Sequence, residues 1–327
     1  QQVLREYRVA VQDRVTRVAS VAINPTDLEP FRVYHVDNTA TAGGDGSFES
    51  PDDTLPLSVD PNYDIIFVNR GDETSRGYTG GFELQDDQRL LGEGTMHYYT
   101  STEGTFMLPG YTPGVNPLIT DTIFMGSGPE SVFDFTGDRT EVAGFRIAPS
   151  DPLRDGIWVS ADDFLIREVD IVGGNYGINV VNATGFGEIT DANISDTETF
   201  DGITVDQTDG STLDLLITDT TVTDPIDDGI SFWITTGSTL NATLDNVTVF
   251  GAGDDGLSLE SSYFDSMLNV DVASSSFTDN GGDGLRLLRV NDSGFVFNAS
   301  DSAFDRNGGN GVNIESRNGA SPTGMVD

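Results

Sequence analysis

The sequence predicts an all-β chain: a right-handed parallel β-helix, with three short strands per coil and about 27 residues per coil, behind a short Val-rich N-terminal segment. Three observations carry this reading. A pentapeptide recurs at a regular period, polar and apolar residues alternate within each period, and the composition is poor in helix formers.

The repeat is read by aligning Asp155-Gly-Ile-Trp-Val159, Tyr176-Gly-Ile-Asn-Val180, Asp201-Gly-Ile-Thr-Val205, Asp228-Gly-Ile-Ser-Phe232, Asp255-Gly-Leu-Ser-Leu259, Asp283-Gly-Leu-Arg-Leu287 and Asn310-Gly-Val-Asn-Ile314. Successive glycines are separated by 21, 25, 27, 27, 28 and 27 residues. Alternation recurs twice more in each period, as in Leu240-Asn-Ala-Thr-Leu244 and Val247-Thr-Val249, which gives three strands with one buried face each. A single repeat cannot bury that face, but coils stacked about 4.8 Å apart form a continuous apolar column. Helical and leucine-rich solenoids require a 3.6-residue period, and a propeller blade of about 40 residues is too long. The motif Asn280-Gly-Gly-Asp-Gly-Leu285 resembles a nonapeptide β-roll locally, yet it returns once in 27 residues rather than once in nine.

The elements fall into three segments. Residues 1–32 form a head and linker in which Tyr7 to Ile23 reads as strands on its β-branched content, while Leu4, Tyr7, Val11, Val15, Val18 and Ala22 also fall at helical spacing, with Pro25 and Pro30 bracketing the linker. Residues 33–62 open and cap the β-helix, and residues 63–327 form the helix itself, about ten coils and a rod of roughly 45 Å. Tyr63-Asp-Ile-Ile-Phe-Val68, Gly80-Gly-Phe-Glu-Leu84 and Gln88-Arg-Leu-Leu-Gly-Glu-Gly94 supply the first strands, followed by insertions through Pro109, Pro113 and Pro117. Ile119 to Phe124, Val132 to Phe135 and Val142 to Ile147 continue the pattern.

Charge excludes several partners. The chain has 54 acidic residues, 16 Arg and no Lys, a formal net charge of -38. The head holds five Arg against four acids, and the remainder eleven against fifty. Nucleic acid and anionic membrane surfaces are therefore excluded as partners, since both need clustered basic side chains. With 36% hydrophobic residues and 19 Phe, the chain still has enough apolar surface for a core. The absence of Cys removes disulfides, thiolate metal sites and thiol nucleophiles. No run approaches the length of a membrane helix, and Gln1-Gln2-Val3 does not open a signal peptide.

Val33-Tyr-His-Val-Asp37, Gly43-Gly-Asp-Gly-Ser47, Pro51, Asp64-Ile-Ile-Phe-Val68, Gly80-Gly, Gln88 to Gly94 and Leu108-Pro109 resemble the start of β-helix passengers of large bacterial surface proteins, many of them similar to inverse autotransporters. The resemblance covers residues 1 to 120 in motif detail, and the rest only as generic pectate-lyase-like β-helix repeats. It implies an extracellular location or attachment to the outer-membrane surface, with the Val-rich head as the last piece of a membrane barrel or its connecting segment. A complete barrel is absent from the sequence.

The same fold serves polysaccharide lyases, hydrolases and adhesins, so chemistry must be sought in residues. A lyase needs a base and a cation to stabilise developing charge. There is no Lys, His35 and His97 are expected outside the regular coils, and Arg286 is expected to point outward as a solvated charge. The pairs Asp227-Asp228 and Asp254-Asp255 recur at one place in consecutive coils, as turn residues do, and no catalytic residue is assigned. Trp158 and Trp233 read as partly buried flanks rather than sugar platforms.

The turn column has an electrostatic consequence. Asp201, Asp228, Asp255 and Asp283 are expected to stack, with carboxylates about 4.8 Å apart repelling by roughly 1 to 3 kcal/mol per pair. Backbone N–H groups, interleaved Asn or bound calcium would relieve this, and calcium takes six to eight oxygen ligands. The metal candidates are therefore Asp228, Asp255 and Asp283 in the column, with Asp37 and Asp45 in a second acidic, Gly-rich loop. The functional expectation is a non-enzymatic, adhesin-like or structural β-helix at a cell surface, calcium-stabilised, contacting carbohydrate, a cell-surface partner or copies of itself. The alternative is a lyase or glycoside hydrolase acting on polysaccharide.

Overall fold

The computed structural model describes residues 22–120 and 131–317. Most of the Val-rich head, the strand continuation expected at 121–124 and the C-terminal Met325-Val-Asp327 lie outside the described residues. Within them the chain is all-β, and its parallel strands stack coil upon coil as a solenoid.

Three strand columns build the solenoid. The first sheet has nine parallel strands, from Phe82–Leu84 through Ile203–Gln207, Ile230–Ile234 and Leu257–Ser261 to Val312–Arg317, and it contains the repeated pentapeptides. The second sheet begins at Val33–Val36, which pairs residue for residue with Ile65–Val68, and runs to Gly294–Ser300. The stack thus starts thirty residues before Tyr63. The third column comprises Asn193–Ser195, Thr221–Thr223, Thr248–Phe250 and Ser276–Thr278. In one coil the second and third strands are continuous: Asp162–Val172 pairs with both Thr184–Thr190 and Asn193–Ser195.

Alternation in the sequence becomes ladders in the core. Ile203, Ile230, Leu257 and Leu285 stack in register, as do Leu213, Leu240 and Leu268, and Val222, Val249 and Phe277, all buried. Each such side chain contributes about 1.5–3 kcal/mol by leaving water. The pentapeptide glycine is required by close approach rather than by its φ. A Cβ on Gly229 would lie 2.1 Å from Val249 Cγ1 and 2.6 Å from the Gly256 carbonyl oxygen. First-sheet strands therefore begin where the backbone is pressed against the third column's inward side chain.

Much of the acidity also has a backbone cause. Asp191, Asp219, Asn246, Ser274 and Asp301, one per coil, all have left-handed φ between 49° and 57°. A second such column contains Asp196, Asp224, Gly251, Asp279 and Arg306. Asp and Asn tolerate this region because their short polar side chains bond locally, and they fill seven of these ten corner positions.

The insertion after Gly92 forms an antiparallel hairpin, Tyr98–Ser101 with Gly104–Met107, that covers the outer face of the second sheet near its start. Tyr99 and Leu108 pack there with Phe31, Val33, Ile65, Phe67 and Leu91. The structure corrects the placement expected for His35, which lies in the regular strand Val33–Val36 and is buried, because the rings of Phe48 in the following loop and Phe67 in the next coil pack against it. His97, within the insertion, donates from Nε2 to the Gly92 carbonyl at 2.6 Å and accepts at Nδ1 from Arg167 at 2.9 Å. Arg167 and Arg89 in turn hold the buried Glu141 at 2.8 and 2.5 Å. Desolvation pushes the Glu141 carboxyl up, but the two guanidiniums outweigh it and keep its pKa below the usual value.

Gly229→Ala is expected to destabilise the protein by about 2 kcal/mol or more, since overpacking against backbone cannot relax into a rotamer change. Gly237→Ala, which meets nothing within 4 Å and has only its φ of +76° against it, is expected to cost less. Chemical denaturation of the two variants checks the order.

Candidate functional site

The predicted carboxylate column exists, and the structure shows what relieves it. Asp201 Oδ1 accepts the Asp228 N–H at 3.0 Å, Asp228 Oδ1 the Asp255 N–H at 2.9 Å, Asp255 Oδ1 the Asp283 N–H at 2.7 Å, and Asp283 Oδ1 the Asn310 N–H at 2.6 Å. Each carboxylate therefore caps the turn of the next coil. Asn310 and Asn313 also donate side-chain amides to Asp283. Desolvation opposes ionisation of Asp283, but these bonds together with Arg286 bring its pKa below the ordinary value. Arg286 faces outward as alternation predicts, in register with Ser258, 4.0 Å from Asp255 Oδ2.

The other members of the column are less well compensated. Burial, then the neighbouring Asp201, pushes Asp228 up to about 8. Burial pushes Asp201 up to about 6 and raises Asp255 as well. Ligand atoms of Asp227, Asp228 and Asp254 lie within 4.8 Å of one another, the one such group of three among the described residues. Asp255 and Asp283 stand in the same column but outside that group. Asp37 and Asp45 are elsewhere, each closing its own turn by accepting the N–H two residues ahead, from Thr39 at 2.9 Å and Ser47 at 3.1 Å.

A second feature was not found from sequence. A groove of about 660 Å³ opens on the outer face of the first sheet, lined by Glu83, Asp134, Asp155, Trp158, Tyr176 and Phe200 together with smaller polar side chains and Leu153. Register places Glu83, Asp134, Trp158 and Asn179 side by side on four successive strands, alternating with the inward Phe82, Phe133, Ile157 and Ile178. Tyr176 and Phe200 stack at 5.0 Å with their planes 13° apart. Trp158 is thus a groove residue, and the aromatic faces stand beside carboxylates.

The carboxylates differ in environment. Asp134 is only 7% exposed and is hydrogen-bonded by the Ser131 hydroxyl. Its pKa is pushed up to about 6, by burial first, with Glu83 and Asp155 adding to the rise and Ser131 and Arg154 opposing it. Glu83 is exposed and accepts the Thr136 hydroxyl at 2.9 Å. Asp155 accepts both Asn175 and Asn179 side-chain amides at 2.9 Å, which leaves Asn179 Oδ1 on the groove wall without a donor among the described residues. The signal available in the sequence was the break in the repeat: Tyr176 stands where Asp or Asn stands in later coils, and Trp158 where they carry Thr, Ser, Arg or Asn.

No protein-family model matches the chain, and neither does any curated protein sequence. Solved structures do match. One is a rhamnogalacturonan lyase, with 12% identity, 83% of this chain and 74% of that one covered, and a TM-score of 0.52. Others are the pectate lyase Pel9A, with 11% identity, coverage of 93% and 80% and a TM-score of 0.49, and the A-module of the Azotobacter vinelandii mannuronan C-5 epimerase AlgE4, with 13%, 75% and 69%, and 0.41. At such identity the likeness is one of fold: the chain is a pectate-lyase-like β-helix. Among the described residues no helix is long and apolar enough to cross a membrane.

Stability is expected to rise as pH falls from about 8 to about 5 in the presence of a chelator. Asp134, Asp201 and Asp206 sit near 6 and Asp228 near 8 in the folded state, above their unfolded values, so their contribution is complete at low pH and is lost as pH rises through those values. His35 and His97, both pushed down to about 4 by burial, act in the opposite sense between about 6.5 and 4, but the raised carboxyls outnumber them. Asp228→Asn keeps the acceptor for Asp255 N–H and is expected to raise Tm at pH 8 by a few degrees. A Tm that instead falls between pH 8 and 5 would contradict this account of the column.

Proposed function

We propose that this protein is an extracellular, glycan-contacting β-helix that holds a carbohydrate chain in the groove of Glu83, Asp134, Trp158 and Tyr176. The single observation behind this reading is the convergence of aromatic faces and hydrogen-bonding carboxylates and amides in one outward-facing groove. Sugar rings present apolar C–H faces to aromatic platforms and hydroxyls to polar groups. The fold neighbours, a rhamnogalacturonan lyase among them, support a carbohydrate partner and an extracellular setting. The resemblance of residues 1 to 120 to surface-protein passengers supports presentation of the rod at a cell surface, with the groove as its glycan contact.

A second reading concerns calcium, and the approach of Asp227, Asp228 and Asp254 favours it. These three carboxylates supply the hard oxygen ligands that calcium takes, and a cation there would neutralise the part of the column with the greatest electrostatic cost. Asp255 and Asp283, which lie outside that group and each accept the next coil's backbone N–H, would then serve the turns.

Trp158→Ala is expected to weaken binding of glycan polymers by roughly three- to tenfold in Kd, the value of one aromatic stacking contact, as read by affinity electrophoresis. Trp233→Ala, two residues along the strand and three coils away, is expected to leave it unchanged. For calcium, thermal melts at pH 8 are expected to show a rise in Tm on adding the ion, abolished in Asp254→Asn. Melting that ignores both calcium and chelator would remove the metal reading.

A further inference from the structure

We infer that the groove hydrolyses uncharged glycans, with Asp134 as the general acid and Glu83 as the carboxylate that attacks the anomeric carbon. The inference rests on the glycan-binding reading above and assigns it a substrate class and a reaction.

Geometry carries the assignment of roles. Glu83 and Asp134 are register partners on adjacent parallel strands, so both project from the same face about one strand spacing apart. Their surroundings differ sharply. Asp134 is buried between Glu83 and Trp158 and fixed by Ser131, whereas Glu83 stands exposed at the groove edge with Thr136 donating to it. Paired carboxyls in unlike environments divide into one that keeps its proton and one that stays ionised, the division glycoside hydrolysis requires. The raised pKa of Asp134 agrees with the first role.

Substrate class follows from charge. Glu83, Asp134 and Asp155 line the groove, and no Lys, Arg or His does; the basic group that acts on Asp134 is Arg154, beside the groove. A uronate chain would bring its own carboxylates against these three, on a protein of net charge -38. Elimination from uronate also needs a cation at the sugar carboxylate, where this groove offers acids. A neutral hexose or pentose polymer meets neither obstacle.

The reaction balances with water as co-reactant, in two displacements. Glu83 bonds to the anomeric carbon as that carbon's bond to the glycosidic oxygen breaks and the Asp134 proton passes to that oxygen, releasing one shorter chain. Water then bonds to the anomeric carbon as its bond to Glu83 breaks, giving its proton to Asp134, and the second chain leaves with a new reducing end and both carboxyls restored.

The test incubates the full chain with arabinan, galactan, xylan and mannan, and separately with polygalacturonate and alginate, each with calcium and with chelator. New reducing ends, absorbance from unsaturated uronate, and binding by affinity electrophoresis are read in parallel. The expected result is new reducing ends from at least one neutral polymer and no unsaturated product from any. Asp134→Asn and Glu83→Gln, both isosteric, are each expected to lower turnover by about 10²-fold or more with melting temperatures no lower than the wild type's. In the wild type the limb on which activity falls with rising pH is expected near pH 6. Binding to neutral polymers without new reducing ends would overturn the inference and leave the glycan reading standing, and unsaturated uronate would overturn the substrate class. Failure to bind every polymer would overturn both.

Discussion

The coil-to-coil spacing set by the parallel hydrogen-bond ladder is the constraint on which the rest of this structure depends. Whatever a coil carries at one position stands about 4.8 Å from its counterpart in the next. For apolar residues that repetition makes a core without further cost, as in the stack Ile203, Ile230, Leu257 and Leu285. For acids it sets like charges side by side, and the chain answers with its own backbone. Each column Asp accepts the next coil's N–H, so the same spacing that creates the repulsion brings the donor that offsets it. The offset is unequal along the column. Asp283, with Asn310 and Asn313 above it, is fully served, while Asp228, flanked by carboxylates on both sides, is not.

Site chemistry appears where the repetition breaks. In the middle coils the outward row of the first sheet reads Thr204, Ser231 and Ser258, small hydroxyl side chains, before Arg286 and Asn313 follow in the last two. In the earlier coils the same row reads Glu83, Asp134, Trp158 and Asn179. Large and small, charged and aromatic side chains alternate there, which gives the surface relief, and a groove results. A uniform stretch of solenoid presents a flat ribbon; this one is uniform over its middle coils and differentiated over its earlier ones.

The fold was legible because period and alternation are direct signatures of stacked strands. The pentapeptide glycines, the three strands per coil and the Asp column could all be read from spacing alone. Three things could not. Left-handed corners at Asp191, Asp219 and Asn246 look in sequence like generic acidity, and only φ separates a turn requirement from a charge. The burial of Val33 on the outer face of its sheet involves a hairpin more than sixty residues later that packs over that face, a contact with no periodic trace. The partnership of Glu83 with Asp134 crosses fifty-one residues, nearly two periods, because the hairpin insertion and the segment after it fall between the two strands. A search keyed to a constant period passes over that pair. Of the predicted acids, Asp228 lies in the carboxylate cluster, while Asp37 and Asp45 close local turns, a distinction that acid density in the sequence does not encode.

Charge unites the column and the groove. Both are built from carboxylates on a chain with no Lys, so neither can draw on a nearby ammonium to stabilise an anion. The column manages with amide N–H groups, which are fixed in place and already committed to the turns. The groove has no such supply for Asp134, which receives one hydroxyl and is otherwise enclosed by an aromatic wall and another acid. A carboxyl so placed is held in its neutral form over a range in which exposed carboxylates are ionised, and a neutral carboxyl is a donor. The physical circumstance that makes Asp228 a cost to stability thus makes Asp134 useful: identical chemistry, burial without compensation, is a liability inside the turn column and a source of reactivity at the groove floor.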